Sequence, residues 1–207
     1  MENPVMVVET RGNHTESRHR GVAAIVDALG HVVRGWGNIY EPIFGRSSLK
    51  FIQALPLIET GAADAFNLTA QEISLACASH HGEGMHIKAL ETWLHKIGKD
   101  ERIFDCGVPH AFPASIEKPT HPTVLHNTCS GKHLGFLTTA LHRKEPLEGY
   151  ILRDHPVQHR VERALSALTD VDHIHALHGI DGCGIPAFAI PLYNIALGMA
   201  RFADPSH

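Results

Sequence analysis

Apolar positions near the start of the chain alternate; further on they recur every three or four residues. Val5 to Thr10 (VMVVET) reads as a strand. Residues 21–26 (GVAAIV) and 31–36 (HVVRGW) flank Asp27-Ala28-Leu29-Gly30, the pattern of a hairpin closed by a glycine-bearing loop. Pro42 and Gly45 break this pattern. From Ser47, the residues Leu49, Ile52, Leu55 and Ile58 fall at helical spacing, with Pro56 kinking or ending the helix and Gly61 stopping it.

Thr69-Ala70-Gln71-Glu72 is a capping box ahead of ISLAC, so a helix begins there. SHHGEG reads as a loop, and Met85 to Ile97 as an amphipathic helix ended by Gly98. Residues 107–123 hold four prolines and are expected to be mostly irregular. Helices are expected from Ser130 or Gly131 to Leu141, from Pro156 to Leu168 and from Pro191 to Phe202. Residues 173–180 suit a strand or buried segment, and GIDGCGIP suits a loop. Antiparallel strands first and helices after suggest an α+β fold, read as a single domain over residues 1–207.

Composition narrows the class. Hydrophobic residues make up 43% and charged residues 19% of 207, the balance of a globular chain. Net charge is −4 and no basic stripe occurs, so nucleic acid is not an expected partner. No apolar run approaches a membrane span, and no charged-then-apolar leader opens the chain, so no membrane partner is expected. The 18 histidines are scattered without HExxH spacing. The four cysteines, Cys77, Cys106, Cys129 and Cys183, lie far apart without CxxC, which points to a reducing, cytoplasmic setting.

Four stretches carry candidate chemistry. In GRSSLKF, Ser47 stands three residues before Lys50, so on a helix the two share a face. A desolvated lysine there could serve as base for the serine. From spacing alone, the commoner reading of Ser47 is a helix N-cap beside a solvated lysine. A second match, Ser115-Ile-Glu-Lys118, lies between prolines where no helix is expected. ACASHHGEG puts Ser79 in a loop after a helix, a second hydroxyl or a polar turn. HNTCSGKHLGF brings Cys129 and Lys132 to a helix entry, and GIDGCGIP supplies Asp181 and Cys183. Two thiolates and a deprotonated lysine could hold Zn2+; the commoner state of such cysteines is a buried free thiol. Asp181 could equally cap a turn or bind a substrate ammonium group.

Taken in order, TRGNHTESRHRG, RSSLKFIQALPLIETGAAD, ASHHGE, LHNTCSGKHLGF, DHPVQ and GIDGCGIPAFAIPL resemble the L-asparaginase II family, the rhizobial-type or class 3 L-asparaginases. The resemblance runs from about residue 7 to about residue 203. It implies a serine β-lactamase/glutaminase-like fold, an antiparallel sheet with flanking helices and a helical subdomain. It implies hydrolysis of L-asparagine to L-aspartate and ammonia by a Ser-Lys nucleophile, and it points to a homodimer. By position in the motifs, Ser47 matches the nucleophile, Lys50 its neighbouring base and Ser79 the second active-site serine. Cys129, Lys132 and Cys183 match zinc ligands, with the metal as a positioning element and not the hydrolytic centre. Asp181, Arg46 and His80 are the expected substrate-binding residues. The same Ser-Lys pair would also suit a glutaminase or a β-lactam hydrolase, and a zinc-binding module without catalysis is a further alternative.

Members of the family continue past the segment MARFADPSH with later strands and another active-site lysine. The expectation is therefore a fragment or a truncated homologue, with the C-terminal strands missing and the N-terminal strands left with an open edge.

Overall fold

The computed structural model describes residues 2–109, 119–173, 175–204 and 206. Strands β1 (Val5–Arg11), β2 (His14–Arg20), β3 (Ala23–Val26), β4 (Val32–Trp36) and β5 (Pro42–Phe44) come first. A 3-10 turn (Arg46–Leu49) then leads into α1 (Lys50–Gln53), α2 (Leu55–Glu59), α3 (Ala62–Ala65), α4 (Ala70–Cys77) and α5 (Gly84–Lys96). Further 3-10 turns at Glu101–Ile103 and Val124–His126 precede α6 (Ser130–His142), α7 (Pro156–Thr169), β6 (His178–Ile180), β7 (Pro186–Pro191) and α8 (Leu192–Ala203). The β1–β2, β3–β4 and β5–β7 pairs are antiparallel, and the chain is α+β as the sequence suggests. No described helix is long and apolar enough to cross a membrane. The backbone gathers into two compact units. One is Met1–Gly45 with Leu165–Leu177 and Phe188–His207; the other is Arg46–Ala164 with His178–Ala187.

In the first unit, β1 pairs with β2 from Val5↔Arg20 to Arg11↔His14. β2 was not expected, because HTESRHR offers no apolar alternation. Its ladder is backbone-made and laced by surface bonds such as Ser17 Oγ to Glu9 Oε2 at 2.7 Å. β3 and β4 form the expected hairpin. Asp27 Oδ1 closes its loop by accepting the N–H groups of Leu29 at 3.0 Å and His31 at 2.8 Å. Pro42 does not end the strand pattern but begins β5, a place where a residue without an N–H is tolerated in a ladder. α8 packs on β3, and Tyr193 donates from its hydroxyl to Gly30 O at 2.9 Å.

In the second unit the run after Ser47 is helical but broken. α1 ends at Gln53, and Pro56 sits in the first turn of α2, where its missing N–H costs nothing. The Thr69 capping box is made in full, with Thr69 N–H donating to Glu72 Oε2 at 2.6 Å and Glu72 N–H to Thr69 Oγ1 at 3.4 Å. α5 ends at Lys96, and Gly98 just beyond it has φ 65°, which needs a residue tolerant of left-handed backbone. Leu57, Leu75, Ala76, Leu90, Trp93 and Leu134 form one buried cluster, each large side chain contributing roughly 2–3 kcal/mol. α6 is its central rod, buried at every residue from Ser130 to Ala140. α4 and α6 approach so closely that a Cβ on Gly131 would lie 2.3 Å from Leu75 O. This contact fixes α4, which leads to Ser79, against α6, which carries Lys132. The Ser115–Lys118 match lies outside the described residues.

Candidate active site

Ser47 sits in the 3-10 turn, and Lys50 opens α1 with only 1% of its surface exposed. Lys50 Nζ donates to Ser79 Oγ at 2.9 Å, to Thr128 O at 3.2 Å and to Ala78 O at 3.3 Å. Ser79 Oγ in turn donates to Ser47 Oγ at 3.2 Å. The spacing Ser47-x-x-Lys50 puts both residues on one short helical stretch, and the link between them runs through Ser79. Burial pushes the Lys50 ammonium below its ordinary pKa; Cys129 opposes that shift and Lys132 adds to it. The carbonyls of Ala78 and Thr128 carry no sequence signal, because a backbone oxygen belongs to every residue type. Asn127 gave a weak one: its side-chain oxygen accepts the Cys129 N–H at 2.9 Å, as asparagines before helices commonly do.

Arg46, directly before Ser47, has φ 49°, a left-handed conformation uncommon for a residue with a Cβ. Its guanidinium pairs with Asp181 Oδ1 at 3.2 Å, and that oxygen also accepts the Gly182 N–H at 2.8 Å. The Asp181 side chain is mostly buried and the Arg46 side chain mostly exposed. Two of the residues expected to bind substrate are thus tied to each other beside Ser47. His80, the third, is 4% exposed and hydrogen-bonded at both ring nitrogens, to Gly82 N–H at 3.1 Å and Ser130 Oγ at 2.7 Å.

Ser47, Ser79 and the buried Lys50 stand in one hydrogen-bonded line, the residue types that nucleophile-and-base chemistry uses. The sequence model of L-asparaginase II matches residues 7–207. The chain belongs to the L-asparaginase II family. A search of curated proteins found no match. Membership makes the chain one of a family of hydrolases that act on a small molecule.

Beside the serines, this family member gathers Cys129, Lys132 and Cys183. Lys132 Nζ lies 3.3 Å from Cys183 Sγ. Cys129 and Cys183 titrate as one pair: the side-chain bond between them lowers the Cys129 pKa and raises that of Cys183. Lys132 and Lys50 add to the lowering at Cys129. None of the four cysteines is in a disulfide. Among the described residues no group of three or more His, Cys, Asp or Glu is placed to hold a metal; the third donor of this cluster is a lysine.

Proposed function

We propose that this chain hydrolyses the side-chain amide of L-asparagine to L-aspartate and ammonia, with Ser47 as the nucleophile. The supporting observation is the line from Ser47 through Ser79 to a buried Lys50. As an ammonium, Lys50 donates three bonds. As a neutral amine it keeps two N–H bonds, to Ala78 O and Thr128 O, and turns its lone pair toward Ser79. The line then reverses. Ser79 gives its proton to Lys50 and takes the proton of Ser47 as Ser47 attacks the amide carbon. Backbone N–H groups beside Ser47 hold the oxyanion. The leaving ammonia takes a proton back through Ser79, and water then cleaves the acyl-enzyme. Asp181 meets the substrate's ammonium group, and Arg46 holds that carboxylate beside Ser47.

Cys129, Lys132 and Cys183 suit Zn2+ in donor type, two sulfurs and an amine brought together in one place. Such a metal would supply positioning of the α6 entry and the 181–185 loop. The fold class that goes with this reading is serine β-lactamase/glutaminase-like, supported by antiparallel strands together with a helical unit that bears the Ser-x-x-Lys stretch. Ammonia release from L-asparagine, with L-glutamine and a chromogenic β-lactam as rival substrates, tests the proposal. Preference for either rival would replace asparagine as the substrate.

A further inference from the structure

We propose that His80 is a positioning residue: a neutral imidazole that locks the Ser79 loop onto the entry of α6 and makes no contact with substrate. The inference rests on the hydrolase reading above and deepens it.

Hydrogen-bond direction fixes the ring. Gly82 N–H donates to His80 Nδ1 at 3.1 Å, so Nδ1 must offer a lone pair. In the neutral ring the proton then sits on Nε2, which lies 2.7 Å from Ser130 Oγ. Ser130 accepts there and donates onward to Leu125 O at 2.9 Å. The series from Gly82 through His80 and Ser130 to Leu125 is satisfied in that tautomer alone, and protonation of the ring would expel the Gly82 N–H. Gly82 itself has φ 73°, and a Cβ there would lie 3.3 Å from His126 backbone, so the loop is tightly placed.

The lock acts on the reacting groups through the backbone. His80 N–H donates to Thr128 O at 3.3 Å, the same carbonyl that accepts from Lys50 Nζ at 3.2 Å. His80 is also the residue after Ser79, whose hydroxyl links Lys50 to Ser47. The titratable groups around the ring are His86, stacked at 5.2 Å and itself 3.8 Å from Glu83, with Lys50, His81 and His126. Burial first and those neighbours next push its pKa down to about 4.

The test combines 15N NMR of the His80 ring with kinetics of His80→Ala and His80→Gln. The Gln amide N–H can still reach Ser130. The lock predicts an Nε2–H ring unchanged between about pH 5.5 and 8. It predicts kcat for L-asparagine down about 10–100-fold in His80→Ala with KM within about two-fold, largely regained in His80→Gln. A ring that titrates in that range, or a variant in which KM rises while kcat holds, would overturn it. If the wild-type chain released no ammonia, the hydrolase reading would fall. The ring spectrum and the exchange protection of the Gly82 amide, lost on His80→Ala, would still decide the lock.

Discussion

Lys50 and Ser79 are joined by a 2.9 Å hydrogen bond across 29 positions of sequence, and through Ser79 Lys50 is linked to Ser47. In the proposed mechanism Ser79 is therefore a conduit for the proton. Ser79→Ala leaves Lys50 its two carbonyl acceptors, so the fold should hold within about 1 kcal/mol. The rate should still fall by about 10²–10⁴ in kcat, the usual worth of a positioned acid-base group. Steady-state ammonia release beside a urea unfolding curve checks both halves.

Gly131 tests the packing that brings the site together. A methyl at this position has nowhere to go, since the obstacle at 2.3 Å is the backbone of Leu75. Gly131→Ala should destabilise the chain by at least about 2 kcal/mol. An unfolding midpoint equal to that of the wild type would contradict the close α4–α6 contact.

Acid should weaken the second unit through Glu72. Burial alone would raise its carboxyl, but the bonds from Lys96 at 2.7 Å and from Thr69 outweigh this and hold it below its ordinary value of 4.5. The folded pKa is therefore depressed. Its contribution is complete above the unfolded value and is lost as pH falls through the folded one. Wild-type stability should drop as pH is lowered below about 4.5, and Glu72→Gln should flatten that drop while lowering stability at pH 7. Unfolding free energies across pH 3–7 decide.

The sulfur cluster makes a separate prediction. The purified chain should bind about one Zn2+, and Cys129→Ser or Cys183→Ser should reduce this to near zero, read by atomic emission after dialysis. A wild-type chain that retains no zinc would reduce the cluster to a pair of free cysteines.

Much of the helical part was legible because its signals are local. The Thr69–Glu72 capping box, the stop at Gly98 and the apolar period of residues 130–141 each depend on neighbours within a turn or two. The strands were less so. β2 is polar at every position, and β7, PAFAIP, is bracketed by prolines that argue against a strand until its pairing partner is known. At the site, residue types and spacing alone favoured a helix N-cap at Ser47, a polar turn at Ser79 and buried free thiols; the family resemblance singled out Ser47, Lys50, Ser79 and the cysteine cluster. The Thr128 and Ala78 carbonyls and the partnership of His80 with Ser130 were not legible, because they arise from segments that meet only on folding.

The central claim is the nucleophile. Ammonia release from L-asparagine should be measured for the wild-type chain and for Ser47→Ala at matched circular dichroism. The account predicts turnover in the first and a loss of about 10³-fold or more in the second. Near-normal turnover in Ser47→Ala would contradict it.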